Sequence, residues 1–379
     1  VKTYLFTPGP VPVPEEVLAE MSKPIIHHRT DEFENIFSEI REGLRYIFGT
    51  KQEVFILASS GTGSMEAAVA NTLSVGDKVL VVNGGKFGER WGKICRAYGL
   101  VVDELFVEWG EAVDPQKVRD AIKRDSSIRA VLIQASETST GVKHPTDEIA
   151  QITRERDDVI LIVDGITAVG VFPLPFDDTG IDVLVGGSQK AFMLPPGLAF
   201  AAMSDKAWDF YERSTLPKFY FDFKSYQANA AKNTTPWTPA ITLVIGLAVV
   251  LRNFKEEGLE TIYNRHATLA LATREAMKTI GLELYAKRSP SPALTAVIAP
   301  EEIGAGKVIK GLRQKFGMTV AGGQEQAKGK IFRIAHIGFI DKAATIALIS
   351  GVESVLKDLG HKFIFGKGLT KAAEILSTD

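Results

Sequence analysis

Seven short apolar runs recur between residues 54 and 203 of this 379-residue chain: VFILA (54–58), KVLVVN (78–83), VVDELFV (101–107), RAVLIQA (129–135), VILIVD (159–164), DVLVGG (182–187) and LAFAAM (198–203). Runs this apolar read as strands covered on both faces, because a strand with one wet face would alternate apolar with polar side chains. The segments between them, 64–74, 88–98, 114–124 and 146–156, have helical spacing or start signals such as Asp114-Pro115. Repeated strand–helix units restrict the chain to an α/β fold built on a doubly wound, mostly parallel sheet. The last two runs lie closer together across a Gly/Pro-rich joint, AFMLPPG, so a hairpin with one antiparallel strand is expected there.

The flanks have a different texture. TPGPVPVP, within an arm over 1–14, should run extended and rest on another part of the molecule, since proline lacks a donor and restrains the residue before it. DEFENIFSEIREGLRYIFG spaces Phe33, Ile36, Phe37, Ile40, Leu44 and Ile47 as one amphipathic helix that stops at Gly49. Beyond residue 205 an aromatic segment, KFYFDFKSYQ, leads to NTTPWTPA and to a helical stretch over 240–280 that breaks near Gly258. A strand near 293–299, a helix near 305–316, a strand over 330–335 and a helix over 341–359 then read as a smaller α+β domain. The expected division is an arm over 1–14, a large domain over 15–257 and a small domain over 258–379.

Charge and cysteine content exclude several functions. Lys plus Arg number 44 and Asp plus Glu 46, a net charge of −2, too neutral for a surface adapted to nucleic acid. No apolar run reaches the length of a membrane span, and the first residues lack a basic stretch followed by an apolar one, so a soluble, cytoplasmic protein is expected. The single cysteine, Cys95, offers no internal disulfide and no thiolate cluster, and the histidines show no metal-site spacing, so no metal centre is expected.

Three small clusters sit where an α/β sheet presents ligands, at the carboxyl ends of strands. Ser59-Ser60-Gly61-Thr62-Gly63-Ser64 precedes a helix and suits either a phosphate or an ordinary Ser/Thr helix cap. It has no Walker lysine, and no G-x-G-x-x-G fingerprint supports a nicotinamide-dependent oxidoreductase. Asp164 ends an apolar run, where a carboxylate costs free energy unless it meets a cation or caps the next turn. Lys190, after Gly186-Gly187-Ser188-Gln189, either snorkels to the surface or is desolvated into a nucleophile for carbonyl groups. A phosphate cradle, a carboxylate and a lysine at three strand ends of one sheet match the needs of pyridoxal phosphate.

The motifs TPGPVPVP, SSGTGSMEAAVAN, NGGKFGER, ETSTGV, VDGITAVG, GGSQKAFMLPPG, TTPWTPAI and KIFRIAHIG follow one another in an order that resembles the class V, fold-type I aminotransferases. Within them the chain is most similar to the alanine–glyoxylate and serine–pyruvate aminotransferases. The resemblance implies a large cofactor-binding domain, a small domain and a homodimer with active sites at its interface. It implies Lys190 as the Schiff-base lysine, Asp164 as partner of the pyridine nitrogen, and Ser60, Gly61 and Thr62, with Gln189, as phosphate contacts. Phe87 falls where the family stacks an aromatic ring on the cofactor, and Thr138 matches a hydroxyl beside the cofactor's phenolic oxygen. Thr238 matches a residue that reaches the neighbouring subunit's cofactor phosphate. Arg333 matches the arginine for the substrate carboxylate, and Gly9, with His27-His28-Arg29, resembles elements that line the site.

The activity so implied is a ping-pong transfer, through Lys190, of an amino group from serine or alanine to glyoxylate or pyruvate. Phosphonate- or aspartate-using aminotransferases of the same family are alternatives, as is a cysteine desulfurase-like lyase. The lyase needs a thiol on a mobile loop, whereas Cys95 lies in WGKICRAYG, a helical pattern in which it packs as a small hydrophobe.

Overall fold

The apolar runs become strands within a residue or two of the expected positions. The computed structural model describes residues 3–378; residues 1 and 2 of the expected arm and residue 379 of the expected small domain lie outside the described residues. The strands in chain order are β1 (Tyr4–Phe6), β2 (Val54–Leu57), β3 (Lys78–Asn83), β4 (Val101–Phe106), β5 (Ile128–Gln134), β6 (Ser136–Glu137), β7 (Val142–Lys143), β8 (Ile160–Asp164), β9 (Val183–Gly187), β10 (Ala199–Met203), β11 (Leu294–Ile298), β12 (Met318–Gly322) and β13 (Ile331–Ala335).

Seven of them form one sheet in the order β2-β10-β9-β8-β5-β3-β4. β10 runs antiparallel to both its neighbours, as the short joint after residue 187 requires, and the other pairings are parallel. Because side chains alternate across a strand, Val131, Ile133, Leu161 and Val163 enter one core layer while Ala130, Leu132, Ile160 and Ile162 enter the other. Helices Asp31–Phe48 and Ile241–Glu257 cover the first face, and helices Gly61–Thr72 and Lys86–Ala97 cover the second. Asp31–Phe48 is capped at its start by the Thr30 hydroxyl and ends at Gly49, which takes a left-handed φ of 61°.

One expectation is corrected. VVDELFV does not form a strand covered on both faces: β4 is the edge of the sheet, with Val101 and Phe106 exposed. Being flanked by β3 alone, it has no second neighbour whose helix could cover it.

The remaining strands build a second sheet, β1-β12-β13-β11. Its core, with Val297, Val320, Phe332 and Ile334, packs against helices Leu259–Thr279, Ala305–Phe316 and Lys342–Asp358. The break in the long helical stretch falls at Gly258, whose φ of 81° separates Ile241–Glu257 from Leu259–Thr279. The N-terminal arm rests on this second sheet, with Tyr4–Phe6 pairing parallel to Met318–Val320.

Candidate active site

In the large sheet β3 lies between β4 and β5, so the winding of the chain reverses there and the loops after these strands part to leave a crevice at their carboxyl ends. The neighbouring strand ends are level with it: Gln134 of β5 is in register with Asp164 of β8, and Asp164 with Val185 of β9. Register alone therefore brings together the loops that carry Phe87, Thr138, Asp164 and Lys190.

Asp164 is buried and accepts one hydrogen bond, from the amide of Ile166 at 2.9 Å. Burial raises its pKa to about 6, with the Glu137 carboxylate adding to the shift and Lys190 and Arg90 opposing it. Lys190 is 9% exposed and its ammonium donates to the carbonyl of Pro8 on the arm. Burial lowers its pKa to about 8; Asp164 opposes the shift, and the guanidinium groups of Arg333 and Arg90 add to it. Gly9 faces the same ammonium: a Cβ there would lie 2.5 Å from Lys190 Nζ, on a backbone with φ of 138°. The arm thus closes over the lysine, and only glycine leaves room for it.

The Ser60–Thr62 turn starts helix Gly61–Thr72. Ser60 stands at the cap position with an exposed side chain that does not cap, so the first-turn amides have no side-chain partner from it. A Cβ on Gly61 would lie 2.5 Å from Ile166 Cδ1, and one on Gly187 would lie 3.6 Å from the Cα of Gly61 and 3.3 Å from Gln189 Oε1. That oxygen is buried and unpartnered. Gly61, Gly187 and Gln189 therefore meet around the start of the helix, beside the residue whose amide holds Asp164.

Phe87 lies in the first turn of Lys86–Ala97 and Thr138 follows β6. Phe87 and Ser139, the residue after Thr138, are held by a residue outside the expected site, Glu137. Its buried carboxylate accepts from the amides of Phe87 and Gly88 at 3.1 Å, from Gln134 Nε2 at 3.0 Å, and from the amide and hydroxyl of Ser139. Burial raises the Glu137 pKa and these donors oppose the shift. Arg333, on β13 of the second sheet, donates from Nη1 to the carbonyl of Thr138 at 2.7 Å and from Nε to the carbonyl of Gly322 at 2.9 Å, and among the described residues its Nη2 has no hydrogen-bond partner. Burial lowers its pKa to about 10, against the opposing charge of Glu137.

Arg90 was likewise outside the expected site. It donates to Thr62 Oγ1 at 3.1 Å and lies 4.8 Å from the centroid of the Phe87 ring. Glu137 had a signal in the sequence, a carboxylate just past an apolar strand, the same that marks Asp164. Arg90 had only its position one helical turn beyond Phe87.

Thr238 is not brought to this cluster. It is exposed and lines a hollow with Ala58, Leu198 and Tyr226. Thr234, four residues earlier, accepts from Arg29 Nη1 at 2.7 Å, which ties His27-His28-Arg29 to the same segment. Cys95 is buried in Lys86–Ala97, and burial pushes its thiol up to about 12, far from a nucleophilic thiolate.

A doubly wound sheet with a buried lysine and carboxylate at adjacent strand ends, roofed by an arginine from a second sheet, defines an α/β enzyme rather than a binding module or scaffold. The chain belongs to the class-V aminotransferase family, whose profile matches residues 3–340. It is 44% identical to a protein of Synechococcus named as a soluble hydrogenase small subunit, over 100% of this chain and 99% of that one. It is 36% identical to an L-aspartate–glyoxylate aminotransferase of Paracoccus denitrificans, over 98% and 95% of the two chains. The crystal structure of a ureidoglycine–glyoxylate aminotransferase from Bacillus subtilis superposes with a TM-score of 0.93 at 30% identity, covering 99% and 98% of the two chains. The fold is that of the fold-type I aminotransferases, and no helix among the described residues is long and apolar enough to cross a membrane.

Proposed function

We propose that this aminotransferase uses pyridoxal phosphate to move an amino group from a small amino acid, serine or alanine, to a small 2-oxo acid, glyoxylate first and pyruvate second. The observation that carries the reading is the meeting, at the carboxyl ends of strands of one sheet, of Lys190, Asp164 and the Gly61–Gly187–Gln189 cradle. The cradle is bare of Cβ atoms on two sides and contains a buried oxygen without a partner. Asp164 is buried with a single donor, short of what a carboxylate accepts. These residues fit the cofactor: Ser60, Gly61, Thr62 and Gln189 would hold its phosphate, Asp164 its ring nitrogen, Phe87 its ring face and Thr138 its phenolic oxygen, and Lys190 would supply the amine that binds its carbonyl carbon.

When bound, the cofactor supplies an electron sink for the pair released as the substrate Cα–H bond breaks. The chain does the rest. Asp164, ionised above about pH 6, keeps a proton on the ring nitrogen. Lys190, with its pKa lowered to about 8, is able to serve as the amine that binds the cofactor and, once released, as the base that takes the Cα proton and returns it on the far side of the transfer. Arg333 binds the substrate carboxylate with the unused part of its fork. The Pro8-Gly9 segment covers the lysine and keeps water from it. A homodimer completes the site, with Thr238 of the partner subunit meeting the phosphate.

Three observations support the choice of substrates. Arg333 is held by two carbonyls with part of its fork left for a carboxylate, which favours a small donor with one carboxylate. Relatives and a solved structure named for glyoxylate use favour glyoxylate as acceptor. The Cys95 thiol is too deeply buried for desulfurase chemistry. The test is borohydride reduction of the protein with pyridoxal phosphate, followed by a screen of amino acids against glyoxylate and pyruvate. A phosphopyridoxyl mass on Lys190, absent in Lys190→Ala, is expected, together with turnover fastest for serine or alanine; no mass on Lys190 would refute the cofactor, and faster turnover with aspartate or an aminophosphonate would refute the donor.

A further inference from the structure

Arg90 is a half-buried guanidinium without a carboxylate. Arg41, Arg156 and Arg265, also partly buried, pair with Glu53, Asp158 and Glu257, and Arg274 and Arg333 are held by backbone carbonyls. Arg90 instead donates to Thr62 Oγ1 and rests on Phe87, and among the described residues it makes no ion pair. Its charge reaches Lys190 and Asp164. The site therefore holds three cations, Lys190, Arg90 and Arg333, against two carboxylates, Asp164 and Glu137. Arg333 stands on the second sheet, bonded to Gly322 and Thr138, whereas Arg90 is joined to Thr62, the last residue of the Ser60–Thr62 turn. An unpaired guanidinium fixed to the first turn of a helix adds a full charge to the partial charge of that terminus, in the place where a dianionic group gains most.

We propose that Arg90 is a positioning residue for the cofactor's phosphate: its charge, delivered through Thr62, offsets the phosphate dianion, and its planar face braces Phe87 from one side. The inference rests on the reading of the site as one for pyridoxal phosphate. It makes a distinction that a purely structural brace would not. A brace for the ring platform serves pyridoxal and pyridoxal phosphate alike, whereas a phosphate-side cation serves only the second.

The experiment titrates the protein, stripped of cofactor, with pyridoxal phosphate and with pyridoxal at fixed ionic strength, following the visible absorbance. Arg90→Met is expected to weaken pyridoxal phosphate by about tenfold or more while pyridoxal changes by less than about twofold, and Arg90→Lys to recover most of the preference. Arg90→Gln, which keeps a planar group and a donor for Thr62 without the charge, replaces Arg90→Met should that variant fail to fold, with the same outcome expected. An equal loss for both ligands, or no loss for either, overturns the proposal. The underlying reading is checked separately in the wild-type protein: phosphopyridoxyl on Lys190 after borohydride leaves the Arg90 comparison to stand or fall alone, and its absence overturns both.

Discussion

Replacing Asp164 by asparagine keeps the shape of the side chain and the acceptor for the Ile166 amide, and removes only the charge. In the ligand-free protein that charge is a burden. The folded pKa is raised to about 6 from 3.8, so between those values the folded state holds a proton that the unfolded chain has lost. Stability must then fall as pH rises through this window, by about 1.4 kcal/mol per unit. Over a span of about two units the loss is about 3 kcal/mol, complete by pH 7 and absent below pH 4. The variant has no such titration. Measured by urea unfolding of ligand-free protein, the stability of Asp164→Asn relative to wild type should climb by about 3 kcal/mol between pH 4 and pH 7 and then stay level. Adding pyridoxal phosphate should reverse the order, because a protonated ring nitrogen would give the carboxylate an opposite charge that the neutral amide cannot match. A difference between the two proteins that is flat from pH 4 to pH 7 would mean that Asp164 ionises in the fold without cost, and would refute the account of its burial.

Three further outcomes are expected. Glu137→Ala deprives five donors of their acceptor and should cost about 5 kcal/mol or more in urea unfolding, against about 1 kcal/mol for Ser139→Ala; equal costs would remove Glu137 from the centre of this network. Gly9→Ala, whose Cβ would meet Lys190 Nζ at 2.5 Å on a backbone with φ of 138°, should lower turnover by about a hundredfold through a displaced amine and lower the melting temperature through backbone strain; normal turnover would show that the arm does not restrain the lysine. Arg333→Ala should raise KM for the amino donor by about a hundredfold with pyridoxal phosphate retained, since two charge-assisted bonds are lost, and unchanged steady-state constants would refute its role.

How much of this could be read without coordinates depended on whether the signal was local. The strands of the large sheet were legible because burial on both faces makes the whole run apolar, as in ILIVD and VLVGG. The same rule misjudged 101–107, where position at the sheet edge, a property of topology, decides exposure. β1 and β12 lack such a run: Tyr4–Phe6 has three residues and is a strand only because Met318–Val320 lies beside it, and MTVAG of β12 is buried only at Met318 and Val320. Asp164 and Lys190 stood out as charges at the ends of apolar strands. Arg90 did not, because its place beside Thr62 is set by how two helices pack, which no spacing along the chain records. Glu137 had the right signal and sat among hydroxyl residues that made it look like part of a turn.

The arm that covers Lys190 is anchored at residues 4–6 to a strand that begins at residue 318. On a ribosome adding about 5–20 residues per second, those first residues wait about 15 to 60 seconds for their partner. During that time the large sheet can form while its lysine stands uncovered. Closing so long a loop is slow, and it comes last. A chain cut short before residue 318 would therefore be expected to keep a sheet and a reactive amine, yet to lack the anchor of the arm that covers it.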